Sequence, residues 1–213
     1  MKDISFSRIK VLRIIARLNI GGPAIHTILL SRHMERLGYQ TLLVAGQVCP
    51  EEGDMYYLAK AEGVEPVIIP RLGRRLLPFS DLVALLRILR LLFKWQPQII
   101  HTHTAKAGAV GRMAGAVYIG AQSFKFKVQS WVQRFSRAKF NNTQASIINQ
   151  KCMVVHTFHG HVLEGYFPKF RSRFFQLTEK ILARFTDVIV VVSEQQKDEL
   201  CWKFGVGRPE QYR

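Results

Sequence analysis

Three imidazoles and a glycine fall within six positions in the segment Val154-Val155-His156-Thr157-Phe158-His159-Gly160-His161. The β-branched run that enters it suits a buried strand, and Gly160 permits a sharp exit. His159 and His161 then stand at or just past a strand's carboxyl end, where ligands bind in open α/β sheets. The same residues also fit a plain strand end with partly exposed, idle histidines. A second segment, Ile99-Ile100-His101-Thr102-His103-Thr104, ends in the same way. The spacing of His101 and His103 suits a metal pair, yet no cysteine or carboxylate lies nearby in sequence to complete a ligand set. Hydrogen bonding to a polyhydroxylated ligand fits His and Thr better. In a third stretch, Gly21-Gly22, backbone N–H groups can approach an anion at the start of a helix. Pro23 fits that helix's first turn, where its missing N–H costs nothing. No third glycine follows at the spacing of a dinucleotide fingerprint, so the pair also reads as a simple tight turn.

Bringing these stretches together requires a regular framework, and the hydrophobic pattern supplies one. Ile9 to Arg17 predicts a buried first strand, with Val11, Leu12, Ile14 and Ile15 as its near-continuous apolar run. A helix follows to about Leu37, with Ile25, Ile28, Leu29 and Leu37 at helical spacing and Gly38 as C-terminal cap. Gln40–Ala45 and Glu65–Pro70 read as strands separated by a short helix over Asp54–Glu62. A helix capped by Ser80 runs to about Lys94, and the fourth strand starts at Gln98. Gly108–Val117 reads as a small-residue helix, Met153–Phe158 as a strand and Lys169–Phe185 as a helix whose apolar side holds Phe174, Leu177, Ile181 and Leu182. Asp187–Val192 and Gln195–Phe204 complete the series as strand and helix. Leu163–Pro168 has the look of a loop able to fold over a cleft. Six strand–helix alternations predict one parallel sheet with helices on both faces.

With 213 residues the chain can bury one full core, and 48% apolar against 22% charged residues excludes global disorder. No apolar run is long enough to cross a bilayer. The N-terminus shows no small-residue cleavage site of a secretory signal. Cys49, Cys152 and Cys201 are scattered, lack metal-ligand spacing and fit a reducing cytosol. The net charge of +16 favours anionic partners. Its distribution is uneven: residues 119–151 hold 6 Lys+Arg and no acid, whereas residues 152–213 hold 9 against 7. Phe124, Phe126, Trp131, Phe135 and Phe140 are strewn through that basic segment. It reads as an irregular insertion into a domain made of residues 1–118 and 152–213, with a basic amphipathic helix over 128–139 and mobile flanks.

In this order, Arg17-Leu18-Asn19-Ile20-Gly21-Gly22, Ile99-Ile100-His101-Thr102-His103, the segment from Val155 to Phe167, and Asp187-Val188-Ile189-Val190-Val191-Val192-Ser193-Glu194 resemble the N-terminal half of glycosyltransferase family 4. These are retaining sugar-nucleotide transferases of the two-Rossmann GT-B type. The resemblance covers most of residues 9–118 and 152–212 and implies a single doubly wound, Rossmann-like sheet. It places Gly21 and Gly22 against the donor's diphosphate, His103 on the acceptor side of the cleft and His159 beside the transferring sugar as the catalytic residue. His161 becomes a substrate-binding neighbour. Implied partners are a nucleotide sugar and a glycan or lipid-linked acceptor, with neither metal nor cofactor. The family's second Rossmann domain, which supplies most donor contacts, would follow Arg213. The chain is therefore expected to be the acceptor half, inactive alone and completed by a separate C-terminal GT-B domain. Relatives acting on lipid-linked acceptors dock on the inner face of the cytoplasmic membrane through this half. Arg71, Arg74, Arg75, Arg87, Arg90 and Lys94, in and before the helix 80–94, are placed to touch anionic headgroups, its leucines forming core.

Two other classes compete. A nucleic-acid-binding protein would explain the charge, but no nucleic-acid motif is present and the basic residues are dispersed. A non-catalytic partner subunit, assembling with a separate donor-binding chain, would share the fold without the reaction.

Overall fold

A strand whose side chains are apolar on both sides must be covered on both sides, and β1 (Lys10–Ile15) meets that demand from the middle of the sheet. The computed structural model describes residues 8–73, 77–135, 152–160, 163 and 168–213. The other strands are β2 (Gln40–Ala45), β3 (Val67–Ile68), β4 (Ile99–His103), β5 (Met153–Thr157) and β6 (Val188–Val190). All pair in parallel in the order β3-β2-β1-β4-β5-β6. The winding reverses between β1 and β4, which opens a crevice outside their carboxyl ends. His101 and His103 lie inside β4, in register with Val155 and Thr157 of β5.

Helices α1 (Gly22–Arg36) and α2 (Tyr56–Ala61) cover one face, where Ile15, Leu43 and Ala45 meet Ala24, Ile28, Met55 and Ala59. The opposite face carries α3 (Pro78–Trp95) and α4 (Ala105–Phe135), with Leu12, Ile14 and Ile100 against Ala84, Ile88, Leu92, Val110 and Ala114. A third cluster gathers Ile189, Ala183, Leu200, Phe204 and Tyr212 beneath α5 (Lys169–Ala183) and α6 (Glu194–Asp198), which ends in a π-helical turn, Glu199–Lys203. The small residues of α4 let it lie close to the sheet. A Cβ on Gly108 would stand 2.4 Å from the His156 ring, and one on Gly111 2.6 Å from Thr102.

Several boundaries differ from the sequence reading. Helix α3 starts at Pro78, and the Asp81 carboxylate, not Ser80, accepts the exposed Leu77 N–H at 3.1 Å. Helix α4 runs on to Phe135, so helix occupies the first half of the stretch expected to be irregular. Beyond Gly120 that half contains neither glycine nor proline, and polar side chains by themselves do not stop a helix. Residues 136–151 lie outside the described residues.

The inward faces also differ. Helix α1 buries Ala24, Thr27, Ile28 and Ser31, leaving Ile25, Leu29 and Leu37 exposed. Helix α5 buries Ser172, Glu179, Leu182 and Ala183 and exposes Phe174, Leu177 and Ile181. On α3, Ala84, Ile88 and Leu92 point inward while Phe79, Leu82, Leu86 and Phe93 remain exposed, so its leucines are not all core. Buried charge explains the first two cases. The guanidinium of Arg13 lies under α1 and donates to Ser31 Oγ at 2.9 Å. On the other face, buried Arg112 of α4 donates to both Glu179 oxygens, at 2.9 and 2.7 Å, and to the Gly108 carbonyl.

Removing one partner of the Arg112–Glu179 pair strands the other charge in the core. Glu179→Ala should lower unfolding free energy by about 3–5 kcal/mol in urea titrations. Replacing both residues by Met should recover part of that loss. A single variant within about 1 kcal/mol of the parent, or a double variant less stable than the single, contradicts this account.

Candidate functional site

The loop after β1 delivers the chain to α1 at Gly21, which serves as N-cap with φ 156°. Ile25 N–H closes the first turn on the Gly21 carbonyl at 3.2 Å. No acidic residue lies in that turn and no side chain among the described residues caps it, which leaves orphan N–H groups and a positive helix end suited to an anion. A Cβ on Gly22 would meet nothing within 4 Å among the described residues, so the backbone is bare of them on that side. The ends of β1 and β4 are tied together: Ala16 N–H donates to Thr104 Oγ1 at 3.3 Å. Thr104 takes a left-handed φ of 64° where β4 turns into α4.

Strand alternation then sorts the polar side chains. Thr102 faces α4, with its hydroxyl 2.8 Å from His156 Nδ1. His101 and His103 face the α1 side, where their ring centroids are 4.1 Å apart. His101 Nε2 lies 2.8 Å from Thr157 Oγ1. His103 Nδ1 and His159 Nε2 share a hydrogen bond of 3.0 Å, joining the ends of two neighbouring strands. From α1, one turn past Gly22, His26 brings its ring to 5.7 Å from His103 and 5.1 Å from His159. His26 is exposed, His159 partly buried and His103 fully buried. His159 also borders a cavity of about 220 Å³, lined in addition by Thr104, His156, Gly160, Phe175 and Glu179.

Burial keeps these imidazoles neutral. It lowers His159 to about 4, with His26 adding to the shift, and His101 to about 3, with Arg13 next in effect. His103 and His156 are pushed well below the ordinary histidine value for the same first reason. His26 moves down less far, through burial and then Arg13. Burial lowers Arg13 itself to about 10, so it stays cationic at neutral pH. Each neutral ring carries one donor and one acceptor, which suits hydroxyl groups.

His103 and His159 thus pair at the carboxyl-end rim of the sheet, and His26 reaches them from the helix that Gly21 and Gly22 open. His161, most of the loop after it, and Arg74 and Arg75 lie outside the described residues, although Leu163 is buried against the third core cluster. Sequence reasoning missed His26 and Arg13. The signal for His26 was its place one turn beyond Gly22, obscured by Ile25 and Ile28 beside it. Arg13 was hidden inside an apolar run.

A family model described as a glycosyl transferase 4-like domain matches residues 21–213. No curated protein sequence matches the chain. Among solved structures, a glycosyltransferase from Rickettsia africae ESF-5 aligns over 98% of this chain and 42% of its own, with TM-score 0.57 and 14% identity. Sucrose-phosphate synthase from Thermosynechococcus elongatus aligns over 97% and 47%, with TM-score 0.59 and 15% identity. A UDP-N-acetylglucosamine 2-epimerase from Rickettsia bellii aligns over 97% and 44%, with TM-score 0.58 and 12% identity. The chain spans less than half the length of each. At these identities the likeness is one of fold: a Rossmann-like half of a two-domain architecture.

Depressed imidazole pKa values carry a stability consequence whose sign is fixed. The unfolded chain takes up protons near pH 6.5, whereas folded His159 and His101 resist until about 4 and about 3. Their contribution is complete above pH 6.5 and is lost as pH falls toward those folded values. The urea midpoint should therefore already decline between pH 6.5 and 5, before most carboxylates titrate. Imidazole NMR signals of His101 and His159 titrating near 6.5 would contradict the assignment.

Proposed function

We propose, because the chain belongs to the glycosyl transferase 4-like domain family, that its carboxyl-end rim is the acceptor-side half of a sugar-transfer site. The reaction moves a hexosyl group from a nucleotide sugar to a glycan or lipid-linked acceptor. One observation carries this reading: a helix with an uncapped N-terminus and a bare glycine backbone brings His26, one turn on, to within 5.7 Å of a hydrogen-bonded, neutral histidine pair. The N–H groups at Gly22 and Ala24 face the departing diphosphate, whose charge a helix N-terminus favours. His159 hydrogen-bonds the transferring sugar. A neutral ring serves there better than an imidazolium, because the sugar gains positive charge as its bond to the diphosphate breaks. His103 is fully buried and acts through His159, fixing the ring and its tautomer on the acceptor side.

The chemistry needs neither a metal nor a cofactor. It does need a second Rossmann domain, supplied by the same polypeptide or by another chain, to complete the donor site and the reaction. Residues 1–213 alone are inactive on this reading. The exposed face of α3 favours a lipid-linked acceptor. There Phe79, Leu82, Leu86 and Phe93 stand beside exposed Arg87, Arg90 and Lys94, and the Arg71 guanidinium lies over the Phe79 ring at 5.7 Å. Apolar side chains rimmed by cations suit an anionic leaflet, here the inner face of the cytoplasmic membrane. No helix among the described residues is long and apolar enough to cross it.

Gly22→Val separates fold from function, because its Cβ has open space in the free protein. The variant should melt like the parent yet bind nucleoside diphosphates at least about tenfold more weakly by NMR titration, since a side chain now blocks the close approach of backbone to phosphate. Equal affinities would remove the diphosphate role. Anionic liposomes at low ionic strength should retain the chain and release it as salt rises; failure to bind them removes the membrane part alone.

A further inference from the structure

We propose that His26, His103 and His159 form a three-histidine site for a borderline-soft divalent ion such as zinc or cobalt. One ligand atom from each lies within 4.8 Å of the other two. Tetrahedral coordination at about 2.0–2.1 Å places ligand nitrogens about 3.3 Å apart, so closure needs shifts of roughly 1.5 Å or less. The three residues are arranged to allow them. His103 is held rigidly in β4, between β1 and β5, and its buried Nε2 makes no hydrogen bond among the described residues. His159 is already at 3.0 Å from His103, and His26 is an exposed side chain on a helix, free to change rotamer. Imidazole nitrogens without carboxylates select zinc, cobalt, nickel or copper over magnesium and calcium. Three protein ligands leave a fourth position for solvent or a ligand oxygen. The buried guanidinium of Arg13 opposes added positive charge, so the ion is exchangeable and yields to chelators rather than holding the fold together. Spacing along the chain could not reveal the set, because its third member comes from α1. The site does not depend on the sugar-transfer reading. Where both hold, metal and sugar contend for the same nitrogens, and the ion is an inhibitor rather than a participant.

The test uses the metal alone on the whole chain. Cobalt(II) should bind with a visible d–d spectrum lacking the thiolate charge-transfer band that Cys49, Cys152 or Cys201 would give. Zinc calorimetry should show one ion per chain. His26→Ala and His159→Ala should each weaken binding at least about tenfold, as loss of a ligand should cost at least what loss of a supporting contact does. His33→Ala, an exposed histidine of the same helix, should leave it unchanged. A thiolate band, an unchanged affinity in His26→Ala, or no uptake of either metal overturns the site. None of these readouts involves nucleotide binding or transfer.

Discussion

The hydrogen bond between His103 and His159 exists only because β4 and β5 are parallel neighbours in one register. His103 is the last residue of β4 and pairs with Thr157, so the chain leaving β5 places His159 beside it two residues later. A slip of one residue would turn His101 and His103 toward α4 and Thr102 toward α1. The register is held by the sheet as a whole, above all by the apolar positions of β1, β4 and β5 packed beneath α3 and α4. Glycines at 108, 111 and 115 permit the close approach of α4.

That arrangement divides the sheet into two chemically different faces. Toward α3 and α4 the strands present Leu12, Ile14, Ile100 and Val154, with the hydrogen-bonded Thr102–His156 pair as their buried polar contribution. Toward α1 the middle strands present Arg13, His101, His103 and Thr157. A buried arginine under a helix is tolerated because Ser31 and Met34 accept its N–H groups. In turn it helps to keep the imidazoles above it neutral. The polar layer costs burial of apolar surface, and it buries instead the groups suited to hydrogen-bonding a hydroxylated ligand.

Much of this was legible in the residues. Near-continuous apolar runs marked the central strands, and the glycine pair and the His-rich strand ends stood out because such residues are uncommon there without a reason. Legibility failed where tertiary partners override local pattern. Ile25 and Leu29 promised an inward apolar face for α1, yet the sheet beneath offers Arg13, so Thr27 and Ser31 turn inward instead. The Arg112–Glu179 pair spans 67 positions, and no spacing rule announces it. The polar stretch beyond Gly120 suggested loop, yet as far as Phe135 it carries neither glycine nor proline to break a helix.

On this reading the first turn of α1 and the His103–His159 pair face one ligand. A crystal structure of the chain soaked with a nucleotide sugar tests it most directly. Diphosphate oxygens should lie at hydrogen-bond distance from the N–H groups of Gly22 or Ala24, with the sugar in reach of the His159 ring. Density for the ligand on another face, with both histidines untouched, would contradict it.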